Sequence, residues 1–188
     1  MKVITLHPAD FEAHCRRLQT LVEAEYAPDL VVGIASGGLK VSALMFPGVP
    51  HVEVSCRRPS TESKSRREGL FAMVRRLPLW VRDTLRRYEA RRLATADADG
   101  GRTAGVMPGA SGSVSGASHI LVVDDAVDSG ATLSAVLNAL HDINPAAHLR
   151  AAAITVTTPA PLAYPDFCIY KNVLIRFPWS MDYTPPRR

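Results

Sequence analysis

The chain has 188 residues, 47% hydrophobic and 21% charged, which fits one soluble globular domain with a real core. Three widely spaced cysteines, Cys15, Cys56 and Cys168, form no CxxC pair and no secretory framework, so free thiols are expected rather than zinc or disulfides. No apolar run approaches a membrane span, and the first residues do not read as a signal peptide; the expected location is the cytoplasm. The net charge of +4 is unevenly placed: residues 66–92 hold nine arginines against Glu68, Asp83 and Glu89, a local +6, so the remainder sums to −2.

In chain order, Phe11, Cys15, Leu18, Leu21 and Val22 recur at helical spacing and predict a helix over residues 8–26. Residues 30–35, LVVGIA, are a continuous apolar run of the kind found in parallel strands covered on both faces. A glycine turn at 37–38 opens a short helix over 39–45, and HVEVS at 51–55 alternates as a strand. Residues 69–93 suggest one or two amphipathic helices interrupted at Pro78. Residues 95–118 contain half of the glycines and few bulky side chains, which predicts a flexible loop. A buried strand over 120–123 follows. Leu133, Val136, Leu137 and Leu140 then mark a helix that Asn144-Pro145 stops, with strands expected at 149–156, 167–170 and 173–176. The alternation predicts an α/β fold with a doubly wound, mainly parallel sheet. The core is expected from 1–55 and 119–188, and 56–118 is expected to form an arginine-rich helical hood.

In such sheets ligands bind beyond the carboxyl ends of strands. After 120–123 comes DDAVDSGAT, residues 124–132, with hydroxyls and a glycine where a helix begins. A helix start offers unpaired N–H groups and a positive dipole end, which suit a phosphate. Asp124 and Asp125 can accept hydrogen bonds from a vicinal diol, and Asp128 is a third carboxylate inside the turn. Phosphate, diol and spare carboxylate together describe a ribose 5-phosphate with chemistry at C1. Taken singly, Ser129 is also a plausible helix cap and the aspartates could be solvated. The second strand end, Ala35-Ser36-Gly37-Gly38-Leu39, can bring backbone N–H groups close to an anion or can be an ordinary turn. GIASGGLK is not a P-loop, because Lys40 comes one residue late and Val41 follows it. Too few residues follow LVVDD for a response-regulator receiver.

ILVVDDAVDSGATL resembles the 5-phosphoribosyl 1-diphosphate (PRPP) motif of the type I phosphoribosyltransferases. The resemblance implies that Asp124 and Asp125 face the ribose hydroxyls and a Mg²⁺ ion. It further implies that Asp128, Ser129, Gly130, Ala131 and Thr132 cradle the 5-phosphate, and that Ser36, Gly37 and Gly38 bind pyrophosphate. Ser36 replaces the basic residue usual in purine relatives, and Lys40 or an arginine at 57–58 is the candidate to supply that charge. An aspartate at 128 resembles the 6-oxopurine enzymes, where it is the general acid/base. NVLIRFPWSMDY resembles the base-binding end of bacterial xanthine/guanine phosphoribosyltransferases and points to Thr158, Leu174, Ile175 and Trp179 as base contacts. Thr158 stands in place of a lysine and Leu174 in place of a stacking aromatic; Trp179, beside a proline near the terminus, is more often packing than a ligand.

The expected activity is transfer of phosphoribosyl from PRPP to a purine-like base with release of pyrophosphate, by a homodimer or tetramer. The alternative is a PRPP- or nucleotide-sensing protein of the same fold without turnover. For the arginine-rich segment the readings are a solvated hood, a lid over an anionic substrate, or a membrane or nucleic-acid contact. No aromatic ladder accompanies the arginines, so no nucleic acid is expected.

Overall fold

The computed structural model describes residues 2–57, 103–106, 111–180 and 183–184. In chain order it contains β1 (Lys2–Thr5), α1 (Pro8–Glu23), β2 (Leu30–Ile34), α2 (Gly37–Met45), β3 (His51–Arg57) and β4 (Thr103–Val106). Next come α3 (Ser111–Gly116), β5 (His119–Val127), α4 (Ala131–Ile143), β6 (His148–Val156), β7 (Phe167–Lys171) and β8 (Val173–Arg176). Six strands form one sheet in the order β4-β3-β2-β5-β6-β7. All its pairings are parallel except β3 with β4. This is the doubly wound, mainly parallel sheet expected from the alternation of apolar runs and helices.

Period-two alternation sorts the sheet's side chains onto two faces. Val31, Leu121, Val123, Ala152 and Ile154 meet Phe11, Cys15, Leu18 and Val22 of α1 and Val41 and Met45 of α2. Leu30, Val32, Ile120, Val122, Ala151 and Ala153 meet Val114 of α3 and Leu133, Val136 and Leu140 of α4. Leu21, placed by its spacing on the inner stripe of α1, is instead 41% exposed and lies at the stripe's edge.

Three boundaries differ from the sequence reading. The segment 95–118 is not uniformly loop: residues 103–106 pair with β3, and α3 buries Val114 completely. Asn144 ties α3 down, its amide donating to the carbonyls of Val114 and Ala117 at 2.8 Å each. Val114 thereby joins the core on one face of the sheet. β1 escapes notice in the sequence because four residues are too few to show a period. It pairs in parallel with β8, Val3 opposite Leu174 and Ile4 opposite Ile175, so β8 belongs to a separate two-stranded sheet. The helices expected over 69–93, the Arg58 candidate and most of the hood lie outside the described residues, as does the Arg57 side chain.

Candidate functional site

The chain runs from β2 to β3 on one side of the sheet, and from β5 to β6 and β7 on the other. The order therefore reverses between β2 and β5, adjacent strands with Gly33 opposite Val123. A crevice opens at such a switch point, beyond the carboxyl ends. Both motif loops leave from these two strands.

The loops touch. Gly37 and Gly38 are buried at the start of α2. A Cβ on Gly37 would overlap the Asp125 carboxylate, and one on Gly38 would overlap the Val123 carbonyl. Glycine is required here for close approach. Ser36 is exposed at the N-cap of α2, makes no side-chain cap bond, and follows a cis Ala35–Ser36 peptide.

Asp124 and Asp125 are not on an exposed loop, as the motif alone suggests. They lie within β5 and are partly enclosed. Asp124 accepts from the Asp125 N–H at 2.9 Å, and Asp125 accepts from the Ala126 N–H at 3.0 Å and the Trp179 indole N–H at 3.1 Å. Burial pushes the Asp124 carboxyl well above the usual range, and the neighbouring Asp125 and then Asp128 push it further. Burial also raises Asp125, opposed by hydrogen bonds from Asp124, Trp179 and the Ala126 N–H. Hard carboxylate oxygens crowded in this way suit a divalent cation shared with substrate oxygens. Among the described residues, no group of three or more His, Cys, Asp or Glu side chains is arranged to hold a metal alone.

The phosphate loop follows. Gly130, not Ser129, is the N-cap of α4, with φ 76°, and it has no side chain to make a cap bond. The left-handed conformation favours glycine, and a Cβ there would also press within 2.6 Å of the Ala163 main chain. Ser129 Oγ is 3.4 Å from the Ala131 N–H, and the Ser129 carbonyl accepts from the Leu162 N–H at 2.7 Å. Ala131 and Thr132 open the first turn of α4, so their N–H groups lie at its positive end. Asp128 accepts from the Thr157 hydroxyl at 2.6 Å. Sequence reasoning misses Thr157; its only signal is a place between Thr155 and Thr158 at the end of an apolar strand.

A family model described as "Phosphoribosyl transferase domain" matches residues 6–185. The chain belongs to that family. No curated protein matches it in sequence. Among solved structures, it resembles a purine phosphoribosyltransferase from Pyrococcus horikoshii (16% identity, TM-score 0.57, covering 100% of this chain and 99% of that one). It also resembles a xanthine-guanine-hypoxanthine phosphoribosyltransferase from Helicobacter pylori (18%, TM-score 0.64, 96% and 95%). A third is a hypothetical protein from Neisseria gonorrhoeae with bound ppGpp (15%, TM-score 0.62, 95% and 89%). At these identities the likeness is one of fold.

Within this phosphoribosyltransferase the residues expected at the base are packed to different degrees. Trp179 stacks on Phe177 with ring centroids 4.9 Å apart and meets Phe11 edge-on. The Lys40 ammonium lies over the same indole, 4.6 Å from its centroid. Phe177 and Lys40 both lie against the indole, which is partly exposed. Its observed partners are packing neighbours and Asp125. Lys40 thus sits against Trp179 near the β2 loop, exposed to solvent. Leu174 and Ile175 are 5% and 3% exposed, and Ile175 belongs to the core with Phe177. Thr158 is partly exposed beyond β6, its hydroxyl 3.4 Å from the Ala160 N–H.

Proposed function

We propose that the protein transfers the phosphoribosyl group of PRPP to a ring nitrogen of a purine-like base. The bond from C1 to the pyrophosphate oxygen breaks and its electron pair leaves with pyrophosphate, while the base nitrogen bonds to C1 and gives up its proton. The observation that carries this reading is the meeting of the β2 and β5 loops at the switch point, with three aspartates and a helix start at Gly130 beside them. Residues 128–132 hold the 5-phosphate on main-chain N–H groups, Asp124 and Asp125 take the ribose hydroxyls, and Ser36, Gly37 and Gly38 take pyrophosphate. Asp128 accepts the proton of the base nitrogen. The crowding of Asp124 and Asp125 fits a Mg²⁺ ion shared with the substrate; when bound it neutralises charge on the leaving pyrophosphate. Thr158 and the main chain at Leu174 and Ile175 border the base, since those two side chains are buried.

The test is pyrophosphate release from PRPP and Mg²⁺ over a panel of purine bases. Asp128→Asn can still accept the Thr157 hydrogen bond, so the loop is retained. General acid/base assistance is worth about 10²–10⁴-fold, and turnover is expected to fall by that order with PRPP affinity nearly unchanged. Intact turnover in Asp128→Asn would remove Asp128 from the chemistry. A second reading, a nucleotide sensor without turnover, draws on the Neisseria structure described with bound ppGpp. It predicts no pyrophosphate release with any base, together with a thermal shift on adding ppGpp.

A further inference from the structure

We propose that Thr157 is a positioning residue that aims the Asp128 carboxylate at the base; this rests on the transfer reading above. Thr157 is 7% exposed and immediately follows β6. Its N–H donates to the Val127 carbonyl at 2.9 Å, extending the β5–β6 ladder past the pair Val127–Val156. The ladder therefore fixes Thr157 against the residue directly before Asp128. Its hydroxyl donates to Asp128 Oδ1 at 2.6 Å, the length of a charge-assisted O–H···O⁻ bond. Threonine is stiff at χ1, so the donor is held in place rather than recruited. A carboxylate tied at Oδ1 cannot rotate freely, and Oδ2 remains for the proton on the base.

The neighbouring contacts support the same arrangement. The Leu162 N–H donates to the Ser129 carbonyl at 2.7 Å, and the left-handed Gly130 lies against the main chain of Leu162 and Ala163. Residues 157–163 thus brace residues 127–130 at four successive points. Of these braces, only the Thr157 hydroxyl reaches a group assigned to proton transfer.

Thr157→Val is nearly isosteric and removes only the donor; Thr157→Ser keeps it. A hydrogen bond to a charged group is worth roughly 10- to 100-fold. Thr157→Val is expected to lose about that much kcat, with KM for PRPP changed less than about twofold, and Thr157→Ser to recover most of the loss. In an Asp128→Asn background, Thr157→Val should cost little more, because the group it aims is already disabled. Melting temperatures report whether each variant is folded. If Thr157→Val does not fold, Thr157→Ala takes its place beside Thr157→Ser. Unchanged kcat in the donor-less variant, an equal loss in Thr157→Ser, or a full additive loss on top of Asp128→Asn would each overturn the role while leaving the transfer reading intact. Absence of pyrophosphate release from the wild type overturns both.

Discussion

The two rims of the central sheet treat their acids in opposite ways. At the amino rim two solvent-exposed carboxylates, Asp29 and Asp166, are matched to donors from their own fold. Asp29 accepts the N–H groups of Ser118 and His119 at 2.8 and 2.9 Å. Asp166 takes the Ala151 N–H at 2.8 Å and forms an ion pair with Arg150. At the carboxyl rim Asp124, Asp125 and Asp128 accept a few neutral donors, but no described residue gives Asp124 or Asp125 a salt bridge, and burial raises both. At one rim the described residues supply the acids' partners; at the other they leave the charge of Asp124 and Asp125 unbalanced. On the transfer reading proposed above, the contrast separates the acids that build the sheet from those that serve a ligand.

The largest effect on stability should come from closing the gap between the two motif loops. Gly38→Ala drives a Cβ into the Val123 carbonyl, a main-chain atom in mid-sheet that cannot swing aside. Overpacking of this kind costs about 1–3 kcal/mol. Gly48, in the turn leading to the amino end of β3, has open space where a methyl group would stand, with nothing within 4 Å. Gly48→Ala should be neutral or add up to about 1 kcal/mol by restricting the unfolded chain. Denaturant unfolding of the pair checks this, and equal midpoints would mean that the β2 loop has slack.

A smaller effect, opposite in sign at the two rims, is expected from neutralising single aspartates in the ligand-free protein. Asp124→Asn keeps an oxygen for the Asp125 N–H and removes a buried charge repelled by Asp125 and Asp128. Its melting temperature should rise, by roughly 1 kcal/mol in stability, while PRPP no longer gives a thermal shift. Asp29→Ala leaves the Ser118 and His119 N–H groups without their acceptor and should lose about 0.5–1.5 kcal/mol. If Asp124→Asn instead lowers the melting temperature as Asp29→Ala does, the carboxyl rim is a structural network and the contrast fails.

Much of this is legible in the sequence alone. Apolar runs at 30–35 and 120–123 mark the central strands, since parallel strands buried on both faces need no alternation. The motif at 124–132 locates the crevice, because a strand followed by acids, a glycine and a helix start has few other uses. What stays hidden is long-range. The hydroxyl on Asp128 comes from Thr157, 29 residues away, and the indole on Asp125 from Trp179, 54 residues away. Neither pairing has a local signature. Resemblance points to Trp179 as a base contact, and its contacts with Phe11, Phe177 and Lys40 have no local signature either. Composition also misleads at α3, where serines and glycines surround the buried Val114.

The smallest effect belongs to the amino rim and concerns Tyr26. Its hydroxyl donates to the His148 carbonyl at 2.6 Å, with the Ile120 carbonyl 3.2 Å away, so the group is useful only while protonated. Burial, and after it the Asp29 charge, pushes the phenol from its ordinary value of 10.0 up to about 12. The folded pKa is the higher one, so the unfolded chain releases this proton first as pH rises. The Tyr26 contribution should be complete below about pH 10 and fade as the pH climbs toward 12. Tyr26→Phe removes the hydroxyl but keeps the ring, and near pH 8 it should be less stable by about 0.5–1.5 kcal/mol, the worth of one hydrogen bond. Cys15, raised by burial to about 12, is common to both proteins, so its alkaline loss largely cancels in the difference. The gap between wild type and Tyr26→Phe should therefore narrow steadily between pH 10 and 12. A gap that stays constant across that window would show that the hydroxyl contributes through packing, and that the amino rim does not depend on holding this proton.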